Sequence, residues 1–184
     1  MSSDGSSGNP TTPQSKPSPS APPSTRPDAA RALLRHTLAT LAYRGSKAVR
    51  GAPDHFAAFR VAESSRTPAE ILAHIGDLLD WALWLARGEQ RWRVSAPLAW
   101  DEEVARFNTR LEQLDACLAS EALLALPAER LFQGPIADAL THVGQLTMLR
   151  RIAGAPVRGE NYAKADIVAG RLGADQAAPV REFD

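Results

Sequence analysis

The chain has 184 residues, 21 basic and 21 acidic, so its formal net charge is zero and bulk electrostatics give it no hold on a nucleic acid. Its single cysteine, Cys117, cannot close an internal disulfide, which excludes the framework of a small secreted protein. The longest aliphatic runs, such as Ala122–Leu126, fall far short of the roughly 20 residues a bilayer span needs. With no hydrophobic stretch suited to a signal peptide, the expectation is a soluble, cytoplasmic protein without a membrane partner.

Residues 1–28 read as a disordered tail. Seven of the 14 prolines and eight serines fall in the first 27 residues, and apart from Met1 no large apolar side chain occurs before Leu33. Such a segment buries too little surface to offset the entropy of ordering it. The remaining residues are enough for one sizeable core. Asp28 is placed to cap a first helix over roughly 29–49, with an apolar stripe of Leu34, Leu38, Leu41, Gly45 and Ala48, ended by Gly51 and Pro53. Thr67-Pro68-Ala69-Glu70 combines an N-cap hydroxyl, a first-turn proline and a glutamate able to reach back to the cap. The helix it starts carries Ile71, His74, Leu78, Trp81 and Leu85 at steps of three and four, and Gly88 stops it.

A third helix starts near Asp101, where Asp101, Glu102 and Glu103 favour the positive end of the helix dipole. Its stripe is Val104, Phe107, Leu111, Leu114 and Leu118. After a break at Gly134-Pro135, a fourth helix over roughly 136–153 ends at Gly154 and Pro156. No stretch alternates in the manner of a strand. The expected fold is all-α, a four-helix bundle over 29–173, with 157–173 as an extended strap and 174–184 as a loose tail.

What interrupts the stripes carries the functional argument. Asp138, His142, Gln145, Leu149 and Ile152 follow steps of four, three, four and three, which puts an aspartate and a histidine on one otherwise inward face. His74 lies within its own helix's apolar stripe. Polar groups in a bundle core are costly unless paired or bound to something. His74, Asp138 and His142 together offer three N/O ligands for a divalent metal, Zn, Ni, Mn or Fe, with positions left for water or substrate. The competing reading is a metal-free polar network in which Asp138 only orients His142.

The segments Ile71-Leu72-Ala73-His74-Ile75-Gly76-Asp77-Leu78 and Asp138-Ala139-Leu140-Thr141-His142-Val143-Gly144-Gln145-Leu146 resemble the DinB/YfiT-like family of metal-dependent enzymes. That family is a four-helix bundle in which one histidine of the second helix and two of a later helix bind a divalent metal. The later helix usually carries His-x-x-x-His-x-Gly-Gln. Here His142, Gly144 and Gln145 match its second half, Asp138 stands where the first histidine is usual, and His74 matches the second-helix histidine. The resemblance covers about residues 29–173. It implies a metal-dependent enzyme acting on a small molecule, with transfer of a low-molecular-weight thiol to an electrophile as the leading reaction and hydrolysis as the other. The alternative is a non-enzymatic bundle that serves as an interaction or dimerisation module. Bundles of this type often pair through helix faces, so a homodimer is expected.

Supporting residues carry paired readings. Gln145 either orients a ligand from the second shell or makes a polar contact to a neighbouring helix. Asp77 either helps to hold His74 or faces solvent. Gly144 reads first as a point of close backbone approach and otherwise as access to the site. Trp81, Trp84, Trp92 and Trp100 either pack the core or line a pocket mouth. His36 reads as a surface residue, Cys117 as a small core residue, and Arg150-Arg151 as partners of the negative helix end.

Overall fold

A computed structural model of the chain describes Met1 and residues 26–183, with side chains from Ala29 onward. Of the predicted tail, residues 2–25 lie outside those described, whereas residues 26–28 belong to the first helix, so Asp28 lies within it and not at its cap. Helix α1 spans Arg26–Val49, three residues earlier than its predicted start. Leu34, Leu38, Leu41 and Ala48 are buried as the stripe requires. Gly45 sits where the Phe107 ring crosses: a Cβ there would stand 2.6 Å from Phe107 Cζ. A bulkier residue at that step would hold α1 away from the third helix.

Helix α2, Pro68–Ala86, starts on the predicted capping box. The Glu70 amide donates to Thr67 Oγ1 at 3.2 Å, and the Thr67 amide donates to Glu70 Oε2 at 2.7 Å. Two otherwise orphaned donors are thus satisfied reciprocally. Leu72, Ile75, Leu79 and Ala82 are fully buried beside Ile71, Leu78 and Leu85. The buried face is therefore broader than the predicted stripe, and His74 and Trp81 stand at its margin.

Helix α3, Trp100–Ala119, buries Phe107, Leu111, Leu114 and Leu118. A short helix α4, Ala128–Leu131, leads into a wide turn over 132–136, where Gly134 leaves helical geometry (φ −91°, ψ −105°). Helix α5 follows at Ala137–Ile152. Extensive packing joins α2 to α3 and α5, and α1 to the same two helices. Four long helices thus surround one core, with α1 and α2 at opposite corners. No helix among the described residues is long and apolar enough to cross a membrane.

The strap after α5 is more tightly bound than its composition suggests. Gly159–Glu160 (β1) pairs antiparallel with Glu182–Phe183 (β2), a strand pair that no periodicity announced. Two residues per strand are too short to display a pattern. The segment expected to be a loose tail is thereby joined to the strap. The buried Glu160 accepts from Tyr43 Oη at 2.9 Å, Lys47 Nζ at 2.8 Å and the Val180 amide at 3.3 Å. Burial pushes its carboxyl up, but Lys47 and Tyr43 outweigh that and hold it below the ordinary carboxylate range. At the bundle's end, Arg150 donates to the carbonyls of Ala48, Arg50 and Gly51 and of Ala155. It thereby serves the carbonyl ends of α1 and α5 together, the dipole role expected of it.

Candidate metal centre

Helices α2 and α5 are neighbours, so the second turn of α2 faces the first two turns of α5. His74 comes from the former and Asp138 and His142 from the latter. One ligand atom from each lies within 4.8 Å of the others, and this group could hold a metal ion. His74 Nε2 stands 3.8 Å from Asp138 Oδ2, and His142 Nε2 stands 3.5 Å from Asp138 Oδ1. The two imidazoles meet edge to face, with centroids 4.7 Å apart and planes at 85°.

Among the described residues, Asp138 makes no hydrogen bond to either ring. Gln145, one turn after His142, takes the orienting role instead. His142 Nδ1 lies 2.7 Å from Gln145 Oε1. Because that oxygen only accepts, Nδ1 carries a proton, and in the neutral ring the Nε2 lone pair faces Asp138 and His74. In that tautomer His142 Nε2 and Asp138 Oδ1 are two acceptors 3.5 Å apart, a placement that a cation between them would suit. Donors bound to one first-row ion at about 2.0–2.2 Å stand a little over 3 Å apart. The observed spacings are somewhat wider, and the carboxylate has freedom to close them because Asp138 is about half exposed, at 49%.

The centre lies at the rim of the core. His142 is buried, His74 keeps 19% of its side chain exposed, and Asp138 opens to solvent. The face predicted to run inward through Asp138, His142, Gln145, Leu149 and Ile152 therefore straddles the core edge. The core face of α5 is Ala139, Val143, Leu146 and Leu149, while Ile152 is exposed. Burial lowers the pKa of His74, and the neighbouring His142 and Arg66 lower it further, against the opposing pull of Asp138 and Asp77. The ring is thereby kept in the neutral form that coordination requires.

Aromatic residues wall one side. The Trp92 ring lies 5.8 Å from the His74 ring at 81°, and Trp81 lies 5.5 Å from Trp92 at 77°. Trp92 is half exposed, so it edges the site without entering the core. Trp84 is covered by the Arg91 guanidinium, 4.3 Å from its centroid, and Trp100 packs on Phe56 at 5.5 Å.

Two supporting expectations are corrected. Asp77 neither faces solvent nor holds His74: it accepts from the Ser95 amide at 2.9 Å, from Ser95 Oγ at 2.7 Å, and from Arg106. It is buried and pins the α2–α3 loop and α3 to α2, with Arg106 crossing Gly76 closely enough that a Cβ there would lie 3.1 Å away. Gly144 is exposed, with nothing within 4 Å of a built Cβ, so no backbone approaches it. His36 is exposed as expected, and Cys117 is half buried.

A cleft of about 410 Å³ opens beside His74, lined also by Arg60, Arg66, Glu70, Asp77 and Ser95. The sequence reading did not include Arg60, Arg66 or Ser95. The one available signal was position, since Arg66 immediately precedes the cap of the helix that carries His74. In comparisons with known proteins, the chain matches no family model, no curated protein and no solved structure.

Proposed function

We propose that this chain is a divalent-metal-dependent enzyme of the DinB-like kind, with His74, Asp138 and His142 as the ligands. The observation that carries the reading is the convergence of two imidazoles and a carboxylate at the α2–α5 rim, with no hydrogen bond joining Asp138 to either ring. Three groups that offer ligand atoms to one point at the edge of the core, where Asp138 is open to solvent and bonded to neither ring, suit an ion better than an internal network. The family resemblance of the segments around His74 and His142 supports the same assignment.

A bound divalent ion supplies a Lewis acid that lowers the pKa of a coordinated water or thiol. The protein's own residues do the rest. Gln145 keeps the proton of His142 on Nδ1 and its Nε2 available. Trp92 and Trp81 shield the His74 side from water, and the exposed edge at Asp138 admits the substrate. Transfer of a small thiol to an electrophile is the leading reaction, with hydrolysis by activated water as the other.

Elemental analysis of protein prepared without a metal-affinity step tests this reading. The expected result is one Zn, Ni, Mn or Fe ion per chain, lost in His142→Ala. Protein that stays metal-free after incubation with these ions, with no rise in melting temperature, overturns it.

A further inference from the structure

The cleft beside His74 contains four charged groups whose partners differ. Arg60 Nη2 lies 3.0 Å from Glu70 Oε1, and its other arm donates to the Ser65 carbonyl. Glu70 also accepts from the Thr67 amide, and Asp77 is enclosed by Ser95 and Arg106. Arg60 and both carboxylates are therefore engaged within the fold. Arg66 is exposed and makes no hydrogen bond or ion pair with any described residue. Among the described residues that line the cleft, it is the cation left for a ligand.

Its backbone is held in place although its side chain is exposed. Arg66 directly precedes Thr67, whose backbone is held by the capping box, and His74 lies two turns further along the same helix. The spacing between the guanidinium's root and the metal centre is thus set by a rigid element. A guanidinium offers a planar fork of donors suited to a carboxylate or similar oxyanion, and one without an internal partner breaks no protein contact by engaging it.

We infer that the small molecule handled at the His74–Asp138–His142 centre carries an oxyanion, a carboxylate above all, at the end remote from its reacting atom, and that Arg66 selects it. The inference rests on the metal-centre reading above and adds the substrate's chemical class. Arg66 is a specificity-determining residue here and takes no part in the chemistry.

The test compares two thiols that share a two-carbon stem, 3-mercaptopropionate and 2-mercaptoethanol, on cobalt-loaded protein. Binding is followed through the thiolate-to-cobalt absorption band. Arg66 is expected to favour the carboxylate thiol by about tenfold, an advantage that shrinks with added salt. Arg66→Ala should erase the difference while leaving the affinity for 2-mercaptoethanol unchanged, and Arg66→Lys should keep part of it. Equal affinities in the wild type, a preference that survives Arg66→Ala, or failure of cobalt-loaded protein to bind either thiol overturns the inference and leaves the metal centre standing. Absence of cobalt d–d absorption overturns both.

Discussion

Gln145→Leu separates a metal centre from a structural polar network. In the native chain His142 Nδ1 and Gln145 Oε1 are 2.7 Å apart, and no other described residue bonds that ring. Leucine keeps the bulk and the helix propensity but removes the acceptor, so the ring proton is no longer fixed on Nδ1. Loss of such an outer partner typically lowers metal affinity 10–100-fold, or about 1.4–2.7 kcal/mol. With zinc at about 100 times the native dissociation constant, bound metal stabilises the native fold by about 2.7 kcal/mol. The same zinc concentration should stabilise the variant by only about 1.4 kcal/mol at tenfold weaker binding, and about 0.4 kcal/mol at hundredfold. Competition against a chromophoric chelator gives the affinity directly, and melting with and without zinc gives the stabilisation. Gln145→Glu retains an acceptor at the same reach and should recover most of the binding. Native zinc affinity in Gln145→Leu would refute the role given to this hydrogen bond.

Two further outcomes follow from the fold. Gly45→Ala forces a methyl to 2.6 Å from the Phe107 ring and should destabilise by about 1–3 kcal/mol, whereas Gly144→Ala meets open space and should stabilise by up to about 1 kcal/mol. Urea denaturation of the pair checks both signs, and a matching loss in the two variants would contradict the packing described. Glu160→Gln removes the charge that Lys47 and Tyr43 converge on and should cost about 1.5–3 kcal/mol at neutral pH. Because the folded Glu160 pKa lies below its ordinary value of 4.5, the native carboxylate's stabilisation is complete above that value and is lost as pH falls through the folded pKa. A wild-type stability profile below pH 5 no steeper than that of Glu160→Gln would show that the clasp is not the acid-sensitive element.

What was legible in the sequence was what is local. The Thr67–Glu70 cap, the stripes of α1 and α3 and the four-residue step from Asp138 to His142 depend on neighbours within a turn or two. The depth of each face was not legible, because a stripe says which residues share a side and not what covers them. α2 is buried over most of its circumference, which moves His74 from the expected middle of the apolar face to its edge. Asp77 could be placed next to His74 by spacing, but its partners Ser95 and Arg106 lie 18 and 29 residues away and come from another loop and helix. The strand pair of the strap and its Glu160 clasp join residues more than 100 positions from Tyr43 and Lys47, beyond the reach of any local rule.

That shift to the rim changes the chemistry available to the cluster. At the centre of the bundle the carboxylate would be desolvated with two imidazoles and no exit, an arrangement suited to a closed structural ion or a protonated pair. At the edge the groups divide. His142 is buried and fixed by Gln145, and His74 is kept neutral by burial, His142 and Arg66. Asp138, 49% exposed, has room to close on an ion and access to water. Two nitrogen donors facing one solvent-exposed oxygen donor could hold an ion as an open three-ligand site, with coordination positions on the solvent side. Overall neutrality, 21 charges against 21, is compatible with the substrate selection proposed for Arg66, which asks for one arginine beside the cleft rather than a field over the whole surface.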